Sequence, residues 1–154
     1  AAMAAVLHGG YAHATVEDAH RALMAGQPDA AVAELRKLAS AGDAHAEAQL
    51  GWLMIAGGTT LPRDPVKGRQ MVEHAAATGN RDARFVLANA LMLLEPNADG
   101  YARAQRILRP YAEQGYAQAQ AQLGMLYTGE RMQTIQVRHG RVLREGYAQE
   151  ICGG

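Results

Sequence analysis

The stretch Ala44-His-Ala-Glu-Ala-Gln-Leu-Gly51 decides the fold, because it returns twice at intervals of 36 to 37 residues. Its second copy is Arg81-Asp-Ala-Arg-Phe-Val-Leu-Ala88, and its third is Ala117-Gln-Ala-Gln-Ala-Gln-Leu-Gly124. Glycines shortly before each copy keep the same interval: Gly42, Gly79 and Gly115. A fixed period of this size is typical of solenoid proteins, in which one two-element unit stacks on copies of itself. Such arrays usually present a binding surface.

Helix start and stop signals divide each repeat into two helices. Thr15-Val-Glu-Asp18 is close to a capping box, and Asp64-Pro65 combines a capping aspartate with proline at the first helical position. A glycine such as Gly42 ends a helix because it tolerates the left-handed conformation. Pro110 predicts a bend in the sixth helix. We therefore expect an all-α fold with helices over about 16–26, 28–41, 44–55, 65–78, 82–94, 99–114 and 117–127.

The composition limits the classes of partner. Fifteen basic and fifteen acidic residues among 154 cancel to a formal net charge of zero, whereas a nucleic-acid-binding protein usually carries a basic face. The single cysteine, Cys152, excludes an intrachain disulfide framework. With one phenylalanine and one tryptophan, the core must consist of alanine, leucine, valine and methionine. No apolar stretch reaches the roughly 18–20 residues that span a bilayer, so we expect neither nucleic-acid binding nor membrane insertion.

The two ends of the chain depart from the repeat. Residues 1–14 are alanine-rich and end in Ala12-His-Ala14, which is similar to the second half of a secretory signal without its charged start. An alanine-rich leader of another kind fits equally well. Residues 130–154 break the period, and Ile135 and Val137 alternate with polar residues as in a β-hairpin. Alternatively, residues 130–154 form an irregular terminal cap, or they are foreign to the repeat domain. The predicted organisation is a leader (1–14), a solenoid (15–129) and a C-terminal extension (130–154).

The repeated pattern Ala-x-Ala-Gln-x-x-Leu-Gly, followed by a glycine-rich loop, Asp-x-x-Lys-Ala and Ala-Ala-x-x-Gly, resembles the Sel1-like repeats, which are related to tetratricopeptide repeats. Residues 117–124 match its first half, and Asp64-Pro-Val-Lys-Gly68, Ala75-Ala-Ala-Thr-Gly79 and Tyr111-Ala-Glu-Gln-Gly115 match its second half. The resemblance covers about residues 29–129. Departures from the pattern are Gly68, Arg81, Ala88, Met71, Ile107 and Pro110.

This resemblance implies a right-handed superhelix of antiparallel helix pairs. It also implies a role as an adaptor or scaffold in bacterial signalling, envelope assembly or host contact. Stacked helix pairs curve into an extended groove, so we expect a non-enzymatic scaffold that binds a partner peptide or domain on its concave face. The alternative is a structural subunit of a larger bacterial envelope assembly that docks, or associates with itself, through the C-terminal end. The leader favours a periplasmic or secreted protein, with a cytoplasmic location as the alternative.

Partner-binding residues are expected at positions that the repeat pattern leaves variable. In each first helix these positions are separated by four and three residues, so they share one face. The nine residues are His45, Gln49 and Trp52, then Asp82, Val86 and Asn89, then Gln118, Gln122 and Met125. Trp52 could be an exposed anchor, since tryptophan is enriched at interface hot spots, or it could pack in the core.

Motifs for catalysis or metal binding are missing from the sequence. It contains no Gly-x-Ser-x-Gly elbow, no phosphate-binding glycine loop and no paired acid and base at a recognisable spacing. The histidines form no His-x-x-x-His pair on a predicted helix: His8, His13, His20, His45, His74 and His139. We therefore expect no enzymatic activity, no cofactor and no metal.

Overall fold

Residues 15–128, the part of the chain that the computed structural model describes, form seven helices and no strand. The helices are α1 (Val16–Met24), α2 (Pro28–Ser40), α3 (Ala44–Ala56), α4 (Pro65–Ala77), α5 (Arg81–Leu94), α6 (Ala98–Glu113) and α7 (117–128). The all-α prediction is confirmed for this range, and each predicted boundary lies within two residues of the observed one. The leader over 1–14 and the extension over 130–154, including its suggested hairpin, lie outside the described residues.

Side chains that precede the helices accept hydrogen bonds from their first turns. At α1 the Thr15 hydroxyl accepts from the Asp18 N–H at 3.2 Å, and the Asp18 carboxylate accepts from the Thr15 N–H at 2.9 Å, so the predicted capping box is present. At four later helices a side-chain oxygen of the capping residue accepts one hydrogen bond from a backbone N–H of the first turn, at 2.9–3.0 Å. The capping residues are Asp43, Asp64, Asn80 and Asn97. These caps fix where α1, α3, α4, α5 and α6 begin, whereas α2 begins at Pro28 without a side-chain cap.

Glycines that follow the second helices allow the chain to reverse. Gly42, Gly79 and Gly115 have φ of +91°, +87° and +88°, a region that other residues rarely adopt. After Gly42 the Asp43 N–H donates to the Leu38 carbonyl at 3.1 Å, which closes the last turn of α2. The periodic glycines of the sequence are therefore the turns between successive helix pairs.

From α1 to α6 each helix packs against the next one in the chain, and α3 also packs against α5. The apolar core forms three overlapping clusters along the array. The first joins α1, α2 and α3, the second joins α3, α4 and α5, and the third joins α5, α6 and α7. Wholly buried alanines recur in all three clusters: Ala31, Ala46, Ala48, Ala75, Ala83, Ala88, Ala104 and Ala119.

The closest helix approach joins α3 to α4 at a pair of glycines. A Cβ atom on Gly51 would lie 2.6 Å from the Gly68 carbonyl oxygen, and one on Gly68 would lie 2.5 Å from the Gly51 carbonyl oxygen. The next helix pair has Ala88 and Ala104 at the corresponding repeat positions, both fully buried. On α7 the corresponding residue is Gly124, where an added Cβ would meet no described atom within 4 Å. The same repeat position is thus tightly packed in one unit and open in another.

Candidate partner-binding surfaces

The nine predicted binding residues lie on the first helices α3, α5 and α7. Seven of them are at least partly accessible: His45, Gln49, Trp52, Asp82, Asn89, Gln118 and Met125. Because α3 packs against α5, the accessible residues on these two helices belong to neighbouring elements. We call these seven residues the first-helix stripe. Gln118 and Met125 are its most exposed members, with Met125 at 59%.

Val86 and Gln122, the other two predicted residues, are buried in the described part of the chain. Val86 is 6% exposed and belongs to the cluster formed by α3, α4 and α5. Gln122 occupies the corresponding position of α7, is 4% exposed, and has a side-chain oxygen without a hydrogen-bond partner among the described residues. The sequence pattern left this position variable, but α5 must also pack against the preceding first helix α3. That contact helps to bury Val86, the middle residue of the predicted set on α5.

Trp52 packs against the core and keeps part of its surface accessible. Its side chain contacts the clusters on both sides of α3, one with α1 and α2 and the other with α4 and α5. Of the two interpretations of this residue, the observed contacts favour core packing. Trp52 therefore joins two of the three apolar clusters of the array.

Three polar members of the stripe, His45, Gln49 and Asp82, have local partners. The Gln49 amide nitrogen lies 3.2 Å from the His45 Nε2 atom, one turn earlier on α3. Asp82 accepts from the Arg81 guanidinium at 3.0 Å, and that guanidinium lies 4.9 Å from the centre of the Tyr116 ring. These contacts restrain the three side chains and leave them partly accessible.

A groove of about 540 Å³ lies on another side of the array and was not predicted from the sequence. It crosses α5 between the second helices α4 and α6, and we call it the α4–α6 groove. Its apolar surface comes from five residues: Ala76, Ala77, Leu87, Ile107 and Tyr111. Polar side chains and one proline complete the lining: Glu73, Arg84, Arg106, Gln114 and Pro110.

The groove and the stripe lie on opposite faces of α5. At about 100° per residue, Arg84 and Leu87 lie roughly 200° and 140° around the helix axis from Asp82. Arg84 and Leu87 were not among the predicted binding residues, because no single motif joins residues from three helices. The one local signal was Pro110, an unusual residue inside a helix, which lines the groove.

Basic side chains dominate the charge of the groove. The Arg84 guanidinium donates to the Tyr111 hydroxyl at 2.9 Å, and the Tyr111 ring packs edge-on against Phe85 with centroids 5.2 Å apart. Glu73 accepts from Arg69 at 2.8 Å, so its charge is already balanced. Arg106 forms no hydrogen bond or ion pair with the described residues and is exposed. The groove therefore presents two guanidinium groups and one neutralised carboxylate.

A bridge beside the groove ties α4 to α6. Glu95, which follows α5, contacts the Arg69 guanidinium of α4 at 2.6 Å and the Arg103 guanidinium of α6 at 2.8 Å. Burial raises the pKa of Glu95, but its hydrogen bonds and charge interactions with the two arginines outweigh burial and hold this pKa below its ordinary value of 4.5. Hydrogen bonds to Glu73 and Glu95 likewise raise the pKa of Arg69. The carboxylate of Glu95 thus links the end of α5 to both α4 and α6.

Metal-site geometry is not found within residues 15–128, where no three histidine, cysteine, aspartate or glutamate side chains cluster. In the same range no helix combines the length and hydropathy needed to cross a bilayer.

Comparison with known proteins finds no match among protein-family models, curated proteins or solved structures. The similarity to Sel1-like repeats consequently remains a prediction from the repeat pattern.

Proposed function

We propose that this chain is a non-enzymatic interaction module of the Sel1-like type, which binds a peptide or domain of another protein. The observation that carries the proposal is the packing of α3 beside α5. Because of this packing, the accessible stripe residues of α3 and those of α5 lie on adjacent helices. Stacked helix pairs that share a continuous core characteristically use such extended surfaces for binding.

In this proposal the helix pairs form a right-handed superhelix, and the first-helix stripe lines its concave side. Gln118 and Met125 extend the stripe onto α7, and both are exposed. The polar residues that are held by local contacts, such as Gln49 and Asp82, offer donors and acceptors at small conformational cost. We further propose a bacterial periplasmic or secreted location, which rests on the similarity of residues 1–14 to a signal segment.

Site-specific photo-crosslinking tests the proposal. A photoreactive phenylalanine is placed at His45 or Gln118, at the two ends of the stripe, and at Ala33 as a control. Ala33 is an exposed position of α2 outside both the stripe and the groove. The full-length variants are irradiated in extract of the source cells, and the adducts are identified by mass spectrometry.

We expect the two stripe positions to capture the same protein and Ala33 not to capture it. Capture of that protein at Ala33 with equal yield, or no shared adduct from the two stripe positions, would refute the stripe as the binding surface. Circular dichroism of each variant checks that the helices are retained.

A further inference from the structure

The α4–α6 groove has a local charge that differs from that of the whole chain. The formal net charge of the protein is zero, yet the groove lining carries Arg84 and Arg106 against Glu73 alone. Glu73 is already paired with Arg69 at 2.8 Å. Arg106 has no ionic partner among the described residues. An occupant that carries a carboxylate would satisfy this unbalanced charge, because guanidinium groups bind carboxylates through charge-assisted, often bidentate hydrogen bonds.

The apolar part of the groove suits a side chain without charge. Ala76 and Ala77 are small and leave room above Leu87 and Ile107. Tyr111 forms one wall and is fixed by its contacts with Arg84 and Phe85. A volume of about 540 Å³ falls within the range of roughly 300–1,000 Å³ that is usual for ligand-binding clefts. The groove is therefore large enough for an aliphatic or aromatic side chain.

Pro110 alters the backbone hydrogen bonding next to this surface. Proline has no N–H, so residue 110 cannot donate the usual helical hydrogen bond to the Arg106 carbonyl, four residues earlier. Both residues line the groove. The helix at this edge of the groove therefore differs from a regular α-helix.

From these three features we propose that the α4–α6 groove binds an acidic peptide segment of another protein. The segment places an apolar side chain against Ala77, Leu87 and Ile107 and a carboxylate between Arg84 and Arg106. This inference rests on the proposed function only in treating the chain as a binding module, and it assigns a second site on the face of α5 opposite the stripe.

The test uses fluorescence polarisation with labelled, end-capped octapeptides and the full-length protein. The acidic probe is Gly-Ser-Asp-Leu-Asp-Phe-Ser-Gly. In the matched probes both aspartates are replaced by asparagine or by lysine. We expect the acidic probe to bind at least tenfold more tightly than the asparagine probe. Its affinity should fall as the salt concentration rises from 50 to 300 mM, since exposed charge contacts are screened.

Two pairs of variants locate the bound probe. Arg106→Glu should weaken binding of the acidic probe at least tenfold, whereas Arg36→Glu should leave it unchanged. Arg36 is an exposed arginine of α2, so this control makes the same charge change outside the groove. Ala77→Phe should fill the apolar surface and weaken binding at least fivefold, with Ala33→Phe as the matched control. Both alanines are exposed on helices, so neither change disturbs a buried side chain.

Several outcomes would overturn the inference. Equal affinity for the acidic and asparagine probes would show that the arginines do not contribute to binding. Equal weakening by Arg106→Glu and Arg36→Glu would indicate general charge attraction. A dimer in sedimentation velocity that Ala77→Phe dissociates would identify the occupant as a second copy of this chain. If the crosslinks at His45 and Gln118 persist while the acidic probe fails, the groove inference is wrong and the proposed function stands.

Discussion

Replacing Gly51 by alanine tests the closest helix contact of the array. Alanine is favoured over glycine inside a helix by about 0.8–1.0 kcal/mol, so intrinsic propensity alone predicts a more stable protein. The added Cβ, however, would lie 2.6 Å from the Gly68 carbonyl oxygen and 2.8 Å from a methyl group of Val72. Close carbon–oxygen contacts normally lie at about 3.3–3.6 Å, so α3 and α4 must separate by roughly 0.7 Å.

The expected cost follows from which atom is in the way. A carbonyl oxygen cannot rotate aside as a side chain can, so the strain falls in the upper part of the range of about 1–3 kcal/mol for overpacked cores. After the gain in helix propensity is subtracted, we expect Gly51→Ala to lower the free energy of unfolding by about 1–2 kcal/mol. For an array of this size that corresponds to a fall in Tm of about 4–8 °C.

Gly124→Ala is the matched control, because Gly124 occupies the same repeat position on α7 and an added Cβ meets no described atom within 4 Å. It should raise the free energy of unfolding by close to 1 kcal/mol through propensity alone. Urea unfolding followed by circular dichroism at 222 nm measures both variants. If Gly51→Ala stabilises the protein as much as Gly124→Ala does, the close approach of α3 to α4 is wrong.

Two further predictions concern Trp52 and Glu95. Trp52→Ala should lower the free energy of unfolding by about 2 kcal/mol, which is less than the roughly 3–5 kcal/mol of a fully buried tryptophan. The control Met125→Ala, at an exposed position, should change the free energy of unfolding by less than about 0.5 kcal/mol. If both variants have equally small effects in urea unfolding, Trp52 is a surface anchor. Because the pKa of Glu95 is lowered in the folded protein, its contribution is present above its ordinary, unfolded pKa of 4.5 and is lost as the pH falls through the folded value. Glu95→Gln should therefore cost about 1 kcal/mol at pH 7 and much less at pH 3, and a cost that is equal at both pH values in urea unfolding would contradict the bridge.

The helices could be predicted because their limits are set by local chemistry. Asp64 with Pro65, and Thr15 with Asp18, determine helix starts through bonds within one turn. Gly42 and Gly79 determine helix ends through a conformation that few other residues adopt. These signals depend on neighbouring residues alone, so the sequence carries them without knowledge of the packing.

The binding surfaces could be predicted only in part, because accessibility depends on which helices meet. The pattern placed Val86 with Asp82 and Asn89 on one helix face, and the contact of α5 with α3 then buried the valine. The α4–α6 groove was missed for the same reason. Its arginines lie on two different helices, and Arg84 becomes part of a site only when α6 brings Tyr111 within 2.9 Å.

The Glu95 bridge also bears on how the array would respond to mechanical force. One carboxylate links α4 and α6, so the second helices of two successive pairs cannot be pulled apart until that link breaks. In a tweezers experiment with handles at residues 15 and 128, these pairs should extend in one step rather than peel away separately. A repeat protein whose units unfold one at a time extends gradually under force. The Glu95 bridge would instead make the section from α4 to α6 resist extension until its ion pairs break.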